Sequence, residues 1–128
     1  MPVRGIRGAN TVDANTAEAI CEATRELLAG IVERNNLDVR EIASAWFTTT
    51  ADLNAAFPAY AAREMGWIDV PLVCTNEIPV PQALERVVRV LVHYNTDLPQ
   101  SAVHHVYLRG ATVLRQDLVE RFGQAPRD

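Results

Sequence analysis

Lysine is missing from the whole 128-residue sequence; all 12 basic residues are arginine. That absence excludes Schiff-base chemistry, a pyridoxal phosphate anchor and a phosphate-binding P-loop, each of which needs a lysine amine. Serine is almost as scarce. Only Ser44 and Ser101 occur, and neither sits in a nucleophile-elbow context. The two cysteines, Cys21 and Cys74, supply neither a disulfide scaffold nor a metal-ligand pattern. His104 and His105 are adjacent, so on a strand they face opposite ways and cannot chelate one ion together. No metal site is therefore expected. A net charge of −4 leaves no basic excess for a nucleic-acid face. No apolar run is long enough to span a membrane, and Met1-Pro2-Val3-Arg4-Gly5 lacks the apolar core of a signal peptide. A cytoplasmic protein without nucleic-acid or membrane partners is the expectation.

What the sequence has instead is an apolar, β-branched run, Arg86-Val87-Val88-Arg89-Val90-Leu91-Val92-His93-Tyr94-Asn95, which reads as a central strand. Side chains alternate along a strand, so Val88, Val90, Val92 and Tyr94 share one face. Arg89 shares the other with Val87, Leu91 and His93. A guanidinium in the middle of such a strand is costly unless a carboxylate or an anionic ligand pairs with it. A snorkelling arginine or a structural ion pair is the competing reading.

The remaining elements follow from local signals. Residues 3–12 predict a first strand with Val3, Gly5, Arg7, Ala9 and Thr11 on one face, where Gly5 and Gly8 flank Arg7 and permit a close approach. Asn15-Thr16-Ala17-Glu18 predicts a capping box with Asn15 as the N-cap. The helix after it carries Ala17, Ile20, Cys21, Thr24, Leu27, Leu28, Ile31 and Val32 as one stripe, with Cys21 a small core residue. Asn35-Asn36 ends it, and residues 38–41 repeat a capping pattern. Residues 45–50 read as a second strand. Pro58 and Gly66 bracket a short helix, and residues 69–74 read as a third strand, in which Pro71 suggests an edge or an irregular position. Residues 75–81 predict a stiff loop carrying the lone carboxylate Glu77. Residues 103–108 predict the last strand, with Tyr107 beside His105 and Val103; 111–115 predict a short closing segment.

The length fits one domain, 1–128, with residues 116–128 expected as a mobile C-terminal tail. Few strands and uneven helices fit an α+β or pseudo-barrel architecture with helices on one face of the sheet. One long covering helix leaves the second face to be buried by other subunits, which predicts a symmetric oligomer.

Several ordered segments carry a resemblance. Arg4-Gly5-Ile6-Arg7-Gly8-Ala9, Phe57-Pro58-Ala59 followed by Ala61 and Arg63, Arg89-Val90, Asn95-Thr96-Asp97 with Pro99-Gln100, His105-Val106-Tyr107-Leu108 and Leu114-Arg115 together resemble the AroH class of chorismate mutases. The resemblance runs from about Arg4 to about Leu118. It implies a homotrimeric pseudo-α/β-barrel, with a mixed β-sheet core, helices outside and active sites between adjacent subunits. It also implies conversion of chorismate to prephenate, a Claisen rearrangement on the shikimate route to phenylalanine and tyrosine. That rearrangement is intramolecular and needs no cofactor.

The same resemblance implies roles for residues. Arg89 would donate to the ether oxygen, and Glu77 would accept from the ring hydroxyl near the developing positive charge. Arg7 and Tyr107 would bind carboxylate. Val73, Cys74, Thr75 and Asn76 would line the cleft, Phe57 and Leu114 would wall it, and Arg63 and Arg115 would guard its entrance. A planar guanidinium fork suits a dianionic substrate better than an ammonium does. A trimeric organic-acid-binding protein, an imine deaminase on a similar trimeric barrel and a structural oligomerisation module are the alternatives. A carboxylate at Glu77 argues against a mere dianion binder, the segments around Tyr107 and Arg115 fit the deaminase poorly, and a structural module has no use for the polar set.

Overall fold

The computed structural model describes residues 1–114; Arg115 and the expected tail, 116–128, lie outside the described residues. Five strands form one mixed sheet: β1 (Val3–Thr11), β2 (Ile42–Thr49), β3 (Leu72–Asn76), β4 (Val87–Asn95) and β5 (Val106–Tyr107). Their spatial order is β3-β2-β4-β1-β5. The apolar run around Arg89 is thus the middle strand, antiparallel to both β1 and β2, while β3 and β5 run parallel to their neighbours at the two edges. The arrangement is α+β, with helices α1 (Ala17–Asn35) and α2 (Ala59–Glu64).

Both helices pack on the same side. α1 buries Ile20, Cys21, Ala23, Thr24, Leu27, Leu28 and Ile31. Leu27, Leu28 and Ile31 pack with alternate residues of the strands, Ile6, Phe47, Val90, Val92 and Val106 among them, and with Ala59 and Ala62 of α2 and Trp67, while Ile20 and Ala23 pack with Val12, Leu53 and Val88. Full burial of a side chain such as Phe47 or Leu28 contributes about 1.5–3 kcal/mol. The close approach permitted by glycine falls on this side. A Cβ on Gly8 would lie 2.8 Å from Ile31 Cδ1 and 2.9 Å from Leu27 Cδ1. Gly8 therefore admits α1 to the sheet, not a ligand beside Arg7.

Among the described residues, the other face carries no helix. The cross-strand row Arg7, Leu91, Trp46, Val73 runs over it. Three of these are large apolar side chains left open: Trp46 is 49% exposed, Val73 45% and Leu91 37%. Among the described residues, no helix is long and apolar enough to cross a membrane.

Three local expectations are corrected. The N-cap of α1 is Thr16, whose Oγ1 accepts from the Ala19 amide, and not Asn15. Asn15 instead accepts from the backbone amides of Asn54 and Ala55 and donates to the Asn54 side chain. A tertiary partner has outcompeted the local cap. β3 begins and ends later than expected, so Thr75 and Asn76 are strand residues paired with Thr48 and Thr49, not loop residues. Only Val106 and Tyr107 of the expected last strand pair as β. The segment before them is held by side chains: Gln100 bonds the Gly5 amide and carbonyl, and Asn35 bonds the His104 amide and carbonyl. At the end of α1, Asn36 takes the left-handed conformation (φ 49°, ψ 49°) that asparagine tolerates at a C-cap.

Candidate active site

Pairing register gathers a polar row on the open face. Arg89 of β4 stands opposite Thr48 of β2 and Ala9 of β1; Thr48 in turn faces Thr75 of β3, and Ala9 faces Tyr107 of β5. Each of the five strands thus contributes one residue to a single line across the sheet. Ala9, between Arg89 and Tyr107, is itself buried.

Glu77 completes it from just beyond β3. Its backbone amide donates to the Thr49 carbonyl at 2.8 Å, which extends the β2–β3 pairing by one step. Its side chain turns back to the row. Arg89 Nε lies 2.7 Å from Glu77 Oε1, and Thr48 Oγ1 donates to the same oxygen at 2.7 Å. The pair remains accessible, with Arg89 45% and Glu77 26% exposed. An exposed pair of this kind contributes only about 0–1 kcal/mol to stability. Its cost of desolvation is equally small, so the cation is available to an anionic ligand.

The other predicted site residues fall into groups. Arg7 lies on the same face, in the row next to Arg89, and its amide donates to His105 Nδ1 at 2.8 Å. Tyr107 and Leu114 pack with Leu84 against Ala9, Val87 and Ala111, an apolar patch beside Arg89. Val73 stands on the open face two residues before Thr75. A separate groove runs along β3, lined by Thr49, residues 53–58 and Cys74, Thr75 and Asn76. Phe57 forms its lip and is 74% exposed. The Asn15 clasp on Asn54 and Ala55 fixes the loop that leads to this lip. Thr75 belongs both to the groove and to the polar row, and so links them. Arg63 sits in the last turn of α2, exposed on the helical side, and the chain does not bring it to Arg89. Arg115 lies outside the described residues.

The comparisons with known proteins agree with one another. The family model described as chorismate mutase type I matches residues 3–118. This chain belongs to the type I chorismate mutase family. Within that family it is similar to a Thermus thermophilus protein named chorismate mutase AroH, 56% identical over 117 residues that cover 91% of this chain and 96% of the relative. A Bacillus subtilis protein of the same name is 43% identical over 119 residues, covering 92% and 94%. A solved chorismate mutase structure from Clostridium thermocellum superposes with a TM-score of 0.84 at 51% identity, over 85% of this chain and 97% of that one.

Two residues that shape the candidate site were not singled out for it from sequence. Thr48 lies inside the run Thr48-Thr49-Thr50, where composition marks only a strand; its place on the open face follows once Trp46 is assigned there, because the two are two residues apart. Asn15 carried a signal that pointed elsewhere, to helix capping. Other ionic contacts support the scaffold. Arg109, at φ 49°, reaches Glu26 at 2.7 Å and Asp13 at 3.4 Å. Hydrogen bonding to Glu26 holds its guanidinium pKa above the usual value. Gly110 then donates its amide to Thr11 Oγ1, which anchors the turn ahead of Leu114.

Proposed function

We propose that this type I chorismate mutase, an isomerase, converts chorismate to prephenate in a cleft completed by a second copy of the chain. The observation that carries the reading is the Arg89–Glu77 pair at 2.7 Å within the polar row of the open face. A substrate that must be folded into a chair and that separates charge as its ether bond breaks needs both signs in one place. Arg89 donates to the ether oxygen, where negative charge grows, and Glu77 accepts from the ring hydroxyl near the growing positive charge. Arg7 and Tyr107 hold carboxylate. Holding both ends of the molecule supplies the orientation effect. A preorganised donor at the developing charge contributes about 3–4 kcal/mol to transition-state stabilisation. No nucleophile and no proton transfer are required, which suits a site without lysine or an activated serine.

The cleft is assigned to a homotrimeric pseudo-α/β-barrel with the sheets inside and the helices outside. The exposed band of Trp46, Leu91 and Val73 supports this, because a neighbouring subunit would bury it. The groove under Phe57, with Cys74, Thr75 and Asn76, opens beside the polar row but does not enclose it. A neighbour's groove would then face Arg89, with Phe57 and Leu114 as walls and Val73 at the margin. Arg63 and Arg115 belong at the entrance, where they draw in the dianion. Covering the site also lowers the local dielectric and strengthens every charge contact inside it. The setting is aromatic amino acid biosynthesis in the cytoplasm.

The test is loss of chorismate absorbance on adding purified protein without cofactor, with prephenate identified as the product and mass measured by sedimentation. A trimer that accelerates the reaction is expected. A folded trimer with no acceleration over the spontaneous reaction would leave an organic-acid-binding protein in its place.

A further inference from the structure

We propose that Thr48 is a positioning residue for Glu77, and through it for the rearrangement; this rests on the catalytic reading of Glu77 and Arg89 given above. Glu77 stands outside β3, so the strand pairing that fixes Thr75 does not by itself fix its carboxylate. Two contacts do. Its amide is tied to the Thr49 carbonyl at 2.8 Å, and its Oε1 accepts from Thr48 Oγ1 at 2.7 Å. Adjacent residues of one buried strand therefore hold both the backbone and the side chain of the carboxylate. Thr48 is itself fixed twice over, as the register partner of Arg89 on one side and Thr75 on the other.

The choice of atoms gives the contact a purpose. Arg89 Nε and the Thr48 hydroxyl meet at one oxygen, Oε1. The hydrogen bond from Thr48 Oγ1 orients the carboxylate plane, the Arg89 contact being an ion pair, and leaves Oε2 for the ring hydroxyl of the substrate. The ion pair is closest at Nε of Arg89, so its outer N–H groups are the donors offered to the ether oxygen and a carboxylate. Among the described residues, loss of the Thr48 hydroxyl leaves Glu77 a single side-chain contact, which is the guanidinium. The carboxylate can then slide along the fork toward a bidentate arrangement and occupy the donors the substrate needs. Thr48 thus prevents the site's own anion from competing with the bound one.

Thr48→Val keeps shape and β-branching and removes only the hydroxyl, whereas Thr48→Ser keeps the hydroxyl and removes the methyl. Steady-state kinetics on both, on Glu77→Ala and on the Thr48→Val/Glu77→Ala double variant test the proposal, with sedimentation confirming assembly. A hydrogen bond to a charged group supports an expected loss of about tenfold in kcat for Thr48→Val, with KM changed less than about twofold. Thr48→Ser should turn over at close to the parent rate. In the double variant the Thr48 change should cost nothing further, since its target is gone. Parent-like kcat in Thr48→Val alongside a slow Glu77→Ala overturns the proposal and leaves the site reading standing. Equal losses in Thr48→Val and Thr48→Ser, or a full additional loss on the Glu77→Ala background, also overturn it. Parent-like kcat in Glu77→Ala removes the reading on which it rests.

Discussion

Arg89 and Glu77 come together across β2: one sits in the middle strand, the other just past an edge strand, and Nε and Oε1 are 2.7 Å apart with Thr48 between their strands. The contact depends on register. Arg89 faces Thr48, Thr48 faces Thr75, and Glu77 lies two residues beyond Thr75 on the same side. A slip of one residue in either pairing would turn one partner to the helical side. Fold and chemistry are therefore specified by the same backbone hydrogen bonds.

The open face gives a prediction about assembly. Trp46 is half exposed in the isolated chain and lies beside Leu91 and Val73. Trp46→Glu places a charge where a neighbouring subunit would have to desolvate it. Sedimentation should show loss of the trimer at micromolar concentration, while circular dichroism retains the spectrum of a folded chain, and chorismate turnover should fall with the trimer. A Trp46→Glu protein that stays trimeric would place the interface elsewhere.

The helical face gives a prediction about stability. Gly8 has no side chain because Leu27 and Ile31, both fully buried, occupy that space, and the Val106 carbonyl is 3.2 Å from where a Cβ would stand. Gly8→Ala should destabilise the protein by about 1–3 kcal/mol, the usual cost of overpacking. A fall in the urea midpoint at fixed protein concentration is the readout. An unchanged midpoint would mean that α1 is free to shift away from the sheet.

The two thiols should separate by reactivity. Cys21 lies within the buried stripe of α1, and burial pushes its pKa up, opposed by the nearby charge of Arg25. A raised thiol pKa in the folded state keeps Cys21 protonated at pH 8, where an exposed thiol is already partly thiolate. The sign for stability follows: this contribution is full below the unfolded thiol pKa and is lost as pH rises through the folded one, in the alkaline range. A thiol reagent at pH 8 should modify Cys74, which is partly exposed in the groove, well before Cys21. Simultaneous labelling of both in the native protein would contradict the burial of Cys21.

Much of this arrangement was legible in the sequence, and the parts that were not have physical reasons. Strand β4 was readable because its β-branched alternation is long, and α1 because its stripe runs unbroken from Ala17 to Val32. The assignment of Arg89 to the face away from Val88 and Val90 followed from alternation alone. Asn15 was misread because capping signals are local, while its partners Asn54 and Ala55 are about 40 residues away. The extent of β3 was misread because Asn76 is a poor strand former and Pro79 and Pro81 follow closely, so the end of the strand is recruited only by pairing with β2. Residue spacing could not bring Glu77 to Arg89, since that contact exists only after three strands have chosen their register. The resemblance to the chorismate mutase family supplied the pairing of roles that composition could not.

The most direct test of the account is the turnover of Arg89→Ala. The account predicts a loss of at least about a hundredfold in kcat, the equivalent of roughly 3 kcal/mol for a preorganised donor at the developing charge. The trimer should remain intact, and Arg89→Lys should fail to restore the rate because one ammonium cannot replace the guanidinium fork. Near-parent turnover by a folded, trimeric Arg89→Ala protein would contradict it.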